Sequence, residues 1–150
     1  MKIKNFIITF VSAIALLLST ATISLAKVVG DKIILGAAVS LTGKYSSNGV
    51  HTQNGYNLAV ERINSMGGIK VDGKSYKFEI IYYDDESNSG RAAQLAERLI
   101  KQDGVQYMLG PYSSGLTKAM APVTEKYQVP MVEANGASRS LFTKGYKYLF

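Results

Sequence analysis

Lys32 to Val39 reads KIILGAAV, and Ser40 to Gly49 reads SLTGKYSSNG. The first stretch is a short, nearly unbroken apolar run, the pattern of a strand buried on both faces. The second is dominated by Ser, Thr, Gly and Asn and reads as a loop. Helical spacing follows it: Tyr56, Ala59, Val60 and Ile63 mark an inner stripe, with Glu61 and Arg62 facing out. Gly67-Gly68 stops that helix, because glycine takes the left-handed cap without strain. A buried strand, a small-residue loop and a helix open a strand–helix–strand unit.

Downstream, the alternation repeats. Asp72-Gly73 marks a turn, and Tyr76 to Tyr83 (YKFEIIYY) is aromatic and β-branched, a second strand. Asp84, Asp85 and Glu86 are expected to sit favourably at the positive end of a second helix, striped by Ala92, Leu95, Ala96, Leu99 and Ile100. Val105 to Leu109 reads as a third strand, and Leu116, Met120, Val123 and Tyr127 stripe a third helix. Pro130 to Glu133 reads as a fourth strand. The fold class is therefore α/β, a doubly wound parallel sheet with helices on both faces and right-handed crossovers. The last residues, Tyr146 to Phe150, read as a strand just beginning, so the sequence is expected to be a piece of a longer protein.

Upstream of Lys32 lies a different kind of segment. Lys2 and Lys4 precede an apolar run from Phe6 to Leu18, and Ser24-Leu25-Ala26 offers small residues where a signal peptidase reads. Residues 1–26 are expected to be a secretory signal cut after Ala26; an earlier cut after Ala21 fits the same pattern. The run is shorter than the roughly 20 residues of a membrane-spanning helix. A periplasmic or secreted location follows. The chain has no cysteine, so neither a disulfide framework nor a lipid anchor on a cysteine is expected. Lys2 and Lys4 take two of the 17 basic residues, which leaves 15 against 11 acids in residues 27–150. That mild, scattered excess suits solubility and not the basic stripe of a nucleic-acid binder.

The small polar stretches Ser40–Asn48, Gly110–Ser114 and Asn135–Ser138 all lie at the carboxyl ends of expected strands. Ligands of open α/β sheets bind there, and the helix N-termini that follow favour an anion such as a carboxylate. Catalytic chemistry is not legible. His51 is the only histidine and reads as a surface or capping residue. Ser113-Ser114 lacks the flanking glycines of a nucleophile elbow. Gly43-Lys44 is followed by Tyr45 where a phosphate loop needs Ser or Thr. Asp84, Glu86 and Asn88 resemble the start of a calcium loop, but Leu95 occupies the place of its bidentate acid. No enzyme activity, cofactor or metal is expected.

Several spaced pieces then occur in one order: IILGAAVSLTGKYSSNG, GYNLAVERINSMGGI, IIYYDDESN, YMLGPYSSG, VPMVEANGAS and LFTKGYKYLF. Together they resemble the type I periplasmic binding proteins of the leucine/isoleucine/valine-binding kind. The resemblance implies that residues 27–150 are the N-terminal lobe, incomplete, of a two-lobed receptor that hands a small carboxylate-bearing solute to the membrane permease of an ABC importer. It implies a serine hydroxyl for the ligand carboxylate at Ser114, a backbone carbonyl for the ligand ammonium at Asn135, and a backbone N–H at Ala137. Ser138 stands ready to replace the threonine hydroxyl that many members carry at the position of Ala137. Ser47 and Asn48 match a loop that flanks the ligand. Branched-chain amino acids are the leading solutes; amides, aromatic acids, other carboxylates, or a role as a ligand-sensing receptor domain remain alternatives. The piece alone is expected to be poorly soluble and to hold no amino acid measurably, because half a crevice leaves one face of the ligand uncovered.

Overall fold

A computed structural model describes residues 28–150, so the expected signal of residues 1–26 lies outside the described residues. Six strands and four helices alternate: β1 (Val28–Val29), β2 (Lys32–Val39), α1 (Ser46–Ser65), β3 (Ile69–Val71), β4 (Lys74–Asp84), α2 (Ser89–Lys101), β5 (Met108–Leu109), α3 (Ser114–Tyr127), β6 (Met131–Val132) and α4 (Arg139–Phe142). The sheet runs β3-β4-β2-β5-β6, and β4, β2, β5 and β6 are mutually parallel. β2 spans the residues expected of it, and its central place explains its unbroken apolar character: Ala37, Ala38 and Val39 are wholly buried.

Two antiparallel pairings extend the parallel sheet. β1 pairs with β2 in front, and β3 folds back on β4 through the turn at Asp72 and Gly73, both with positive φ. The hairpin was only half legible, because Ile69–Val71 is too short to announce itself. Of the strand expected over Tyr146–Phe150 only a single parallel bridge forms, Met131 to Leu149, with Phe150 N donating to Met131 O (3.0 Å).

Helices cover both faces. α2 and α3 pack together on one face, where Ala92, Leu95, Ala96 and Leu99 recur at i, i+3, i+4 and i+7. They meet Ile34 and Ala38 of β2, Val105, Met108, Leu116, Met120 and Met131. α1 lies against the other face, and its packing is looser: Tyr56, Val60 and Ile63 are half-buried, while Ala59 and Leu58 are exposed. Its tight contact is at its start. A Cβ on Gly49 would stand 2.6 Å from the carbonyl carbon of Ser40, so only glycine lets α1 close onto the end of β2. Gly67 and Gly68, both with positive φ, end α1 as the sequence indicates.

Two expectations need correction. The loop after β2 is shorter than Ser40–Gly49, because α1 begins at Ser46 and takes in Ser47, Asn48 and Gly49. The acids before α2 do not serve its dipole. Asp84 Oδ1 accepts the N–H of Leu41 (2.9 Å), Thr42 (3.2 Å) and Glu86 (2.8 Å), and Asp85 Oδ1 accepts Ser40 Oγ (2.6 Å) and Ser87 N (2.8 Å). These backbone donors, orphaned where the loop turns, outcompete the helix end, which Asn88 caps by accepting Arg91 N (2.9 Å).

Candidate functional site

The strand order reverses at β2: the chain places β4 on one side of it and β5 on the other. The carboxyl ends of β2 and β5 therefore diverge into different crossovers, and a crevice opens there. Its volume is about 410 Å³, and Asn48, His51, Thr52, Gly55, Tyr56, Tyr112, Ala134 and Asn135 line it. One wall is the first half of α1, the other is the loop after β6, and Tyr112 stands at the end of β5.

Each wall is fixed by an identifiable contact. Tyr56 Oη donates to the carbonyl of Gly110 (2.8 Å), tying α1 to the loop after β5. Burial raises the Tyr56 phenol, and the neighbouring Glu133 carboxylate adds to the shift, so the hydroxyl stays protonated and remains a donor. Tyr112 is held edge-on by Tyr45, with ring centroids 5.6 Å apart at 64°. Ser113, which caps α3 by accepting Leu116 N, has φ +84°, a conformation that costs a serine energy and fixes the direction in which Ser114 leaves it. Ser114 thus opens α3 at the helix's positive end.

Of the residues singled out from sequence, Asn48 and Asn135 line the crevice itself. Ser114 and Ser138 meet beside it: Ser138 N donates to Ser114 Oγ (3.0 Å). That bond occupies the Ser138 N–H, and it leaves the Ser114 hydroxyl hydrogen to be donated elsewhere. Ala137 is exposed one residue earlier. Ser47 is exposed on α1 and does not line the crevice, since the helix turns it away from Asn48. Among the described residues no group of His, Asp or Glu side chains is placed to hold a metal ion.

His51, read from sequence as a surface or capping residue, is exposed and also borders the crevice; sequence reasoning missed Thr52, Tyr56, Tyr112 and Glu133 as parts of the site. Tyr56 passed for a core residue because its spacing fits the inner stripe; its hydroxyl, which a leucine in that stripe lacks, was the available signal. Glu133 accepts the N–H of Asn135 (2.6 Å) and Gly136 (2.7 Å) and a hydrogen bond from Thr117, so it underlies the whole 134–138 loop. An acid closing an apolar strand was its only mark in the sequence.

With this geometry in view, known proteins give a consistent answer. The leucine-specific-binding protein of Salmonella typhimurium is 28% identical over 119 residues, 79% of this chain and 31% of that protein. The branched-chain amino acid transporter substrate-binding protein LivJ of Streptococcus pneumoniae, solved with isoleucine, superposes with a TM-score of 0.71 at 34% identity, covering 79% of this chain and 33% of that one. A solute-binding protein of an ABC transporter from Rhodopseudomonas palustris, solved with 3,4-dihydroxy benzoic acid, gives 0.66 at 28%, covering 79% and 31%. The chain thus spans about a third of the length of these relatives, which are solute-binding proteins. The family model described as periplasmic binding protein matches residues 32–150, from the first residue of β2 onward, and the chain belongs to that family.

Proposed function

We propose that residues 27–150 are the ligand-capturing N-terminal lobe of an exported solute-binding protein, with residues 1–26 as its cleaved signal. A second lobe closes over the crevice, and a membrane permease of an ABC importer receives the solute. The solute carries a carboxylate and is an amino acid, branched-chain in type. The protein binds and does not transform it.

The observation that carries this reading is the Ser138 N to Ser114 Oγ bond of 3.0 Å at the start of α3. A serine hydroxyl has one hydrogen to give. With its oxygen already accepting from Ser138, that hydrogen is available to an anion, and the N-terminus of α3 favours negative charge in the same place. A carboxylate leaving water needs such donors. Asn135 and Ala137, both exposed, complete a rim on which an ammonium and a carboxylate are both accommodated.

A second reading has its own support. The crevice is walled by Tyr56, Tyr112 and His51, and among the described residues no Leu, Ile or Val lines it, a lining that suits a flat aromatic acid, the kind of ligand bound by the Rhodopseudomonas palustris relative. Calorimetry on the intact protein with L-isoleucine and with 3,4-dihydroxybenzoate decides between the two. Under either reading Ser114→Ala weakens binding about tenfold or more, from the loss of one charge-assisted hydrogen bond. Unchanged affinity with the fold intact removes Ser114 from the site.

A further inference from the structure

Three Asn-Gly dipeptides occur in the chain: Asn48-Gly49, Asn54-Gly55 and Asn135-Gly136. Such a pair carries a spontaneous reaction of its own. The glycine nitrogen attacks the asparagine Cγ, a C–N bond forms, and the Cγ–Nδ2 bond breaks. The hydrogen lost from the glycine nitrogen leaves with the amide nitrogen as ammonia, and a succinimide ring closes on the backbone. Water then opens the ring at either carbonyl, giving an aspartate or an isoaspartate. Glycine is the favoured partner because no side chain shields its nitrogen.

The fold separates the three pairs. Asn48 and Asn54 lie inside α1 (Ser46–Ser65), and Gly49 N is held by the carbonyl of Tyr45 (2.8 Å). Helical side chains lean toward the helix N-terminus, so the Cγ of each is carried away from the nitrogen that follows it. Asn135 belongs to no helix or strand, is exposed, and borders the crevice. Gly136 beside it admits no larger residue: an added Cβ would stand 2.9 Å from Glu133 Cγ, Leu141 Cδ1 and Thr117 Oγ1. Close seating of the loop therefore imposes the labile pair on the rim, and the same seating restrains it. Glu133 Oε1 accepts the N–H of Asn135 (2.6 Å) and of Gly136 (2.7 Å). Burial raises this carboxyl, but the hydrogen bonds from Thr117, Asn135, Gly136 and Ala134 all favour its ionised form. To react, the Gly136 nitrogen must give up its hydrogen and turn its face to the Asn135 Cγ. That hydrogen is bound to an acceptor, and negative charge building on the nitrogen would face a carboxylate.

We infer that Asn135 is the site of spontaneous deamidation in this protein, and that Glu133 guards it by holding the Gly136 N–H. Conversion sets a new carboxylate on the crevice rim, and the isoaspartate form also lengthens the backbone there by a methylene. Only the consequence for binding rests on the proposed solute-binding role: like charge on the rim opposes a carboxylate ligand, so the converted protein loses affinity.

The reaction itself is tested without a ligand. The intact protein is held at mildly alkaline pH, sampled over time and digested, and its peptides are read by mass spectrometry for exchange of amide for carboxyl. Asn135 is expected to convert first, to a mixture of aspartate and isoaspartate, while Asn48 and Asn54 keep their amides. Glu133→Ala converts Asn135 about tenfold faster, the effect of one lost charge-assisted bond, with Asn48 and Asn54 unchanged. Glu133→Gln keeps an acceptor for both N–H groups and lies between the two. Conversion at Asn48 or Asn54 as fast as at Asn135, or none at Asn135 even in Glu133→Ala, overturns the site. An unchanged rate in Glu133→Ala, or faster conversion at all three asparagines together, overturns the guard. These rates stand or fall independently of calorimetry with L-isoleucine and 3,4-dihydroxybenzoate. Asn135→Asp, titrated with whichever of the two the unmodified protein binds, is expected to bind more weakly; equal affinity overturns the consequence for binding.

Discussion

Gly49→Ala isolates the contact that seats α1. An added methyl would lie 2.6 Å from the carbonyl carbon and 3.0 Å from the Cα of Ser40, closer than any carbon pair packs. Comfortable carbon–carbon separation is about 3.5–4.0 Å, and the Ser40 carbonyl oxygen stands nearer the added methyl than either carbon, so the helix start must retreat by about 1–2 Å. Both neighbours are backbone, so no rotamer change relieves the clash. Overpacking of this kind costs about 1–3 kcal/mol. The retreat also stretches the Tyr56–Gly110 hydrogen bond from 2.8 Å to beyond bonding distance, adding about 1 kcal/mol. Helix propensity offsets about 1 kcal/mol, because alanine is the better helix former. The net expectation is a loss of about 1–3 kcal/mol, read by urea unfolding of the intact protein. Gly55→Ala on the same helix is the control: nothing lies within 4 Å of its added methyl, so only the propensity gain of up to about 1 kcal/mol remains. If Gly49→Ala and Gly55→Ala shift stability in the same direction by similar amounts, the close seating of α1 on Ser40 is refuted.

Other expectations follow from single contacts. Tyr56→Phe removes the bond to Gly110 and lowers stability by about 1 kcal/mol in the same urea assay, with the crevice otherwise unchanged in shape. Leu99→Ala, in the middle of the α2 stripe and wholly buried, costs about 2–5 kcal/mol; a loss under 1 kcal/mol would mean that the α2–α3 face is not a packed core. Burial raises the Asp85 carboxyl, whose Oδ2 has no hydrogen-bond partner, while Ser40 and Ser87 hold its other oxygen. Its contribution to stability is therefore fully present below the unfolded pKa and is lost as pH rises through the folded one. Asp85→Asn should flatten that fall in a pH series of melting curves. Asp84 behaves oppositely: burial pushes it up, but the hydrogen bonds from Thr42, Glu86 and Leu41 together outweigh burial and hold it below the ordinary range. Its contribution is present above the unfolded pKa and is lost as pH falls through the folded one, and Asp84→Asn should remove that acid-side loss.

The sheet was legible where residues are buried on both faces and obscure where pairing is short. KIILGAAV announced β2 to the residue, because a central parallel strand has no solvent side on which to place a polar residue. β5 was expected over Val105–Leu109 and forms a ladder only at Met108–Leu109; Val105 is buried but gives its N–H back to Leu99 at the end of α2. The place of the candidate crevice, beyond the strand carboxyl ends, was legible; its walls were not. Ser114, Asn135 and Ser138 fall at strand ends, a topological fact. The lining contributed by α1 depends on which side of a half-buried helix faces the crevice, and helical spacing alone gave Tyr56 to the core. Glu133 shows the same limit: what an acid does beneath a loop is decided by Thr117, sixteen positions away, and no local pattern links them.

The pairing of β2 also fixes when its surroundings can form. Lys32 registers with Lys77 and Gly36 with Met108, so the first long strand to emerge is flanked by partners that arrive much later. Parallel pairing across such separations requires long loops to close before any ladder bond rewards them, which makes assembly slow for a domain this small. Until Met108 is in place, one edge of KIILGAAV stays open and apolar, a template for pairing with another copy. The segment that most firmly defines the finished sheet is thus also the one that a nascent chain must keep shielded longest, and β1, folded back on Ile33 and Lys32 from only a few residues away, protects no more than its first two positions.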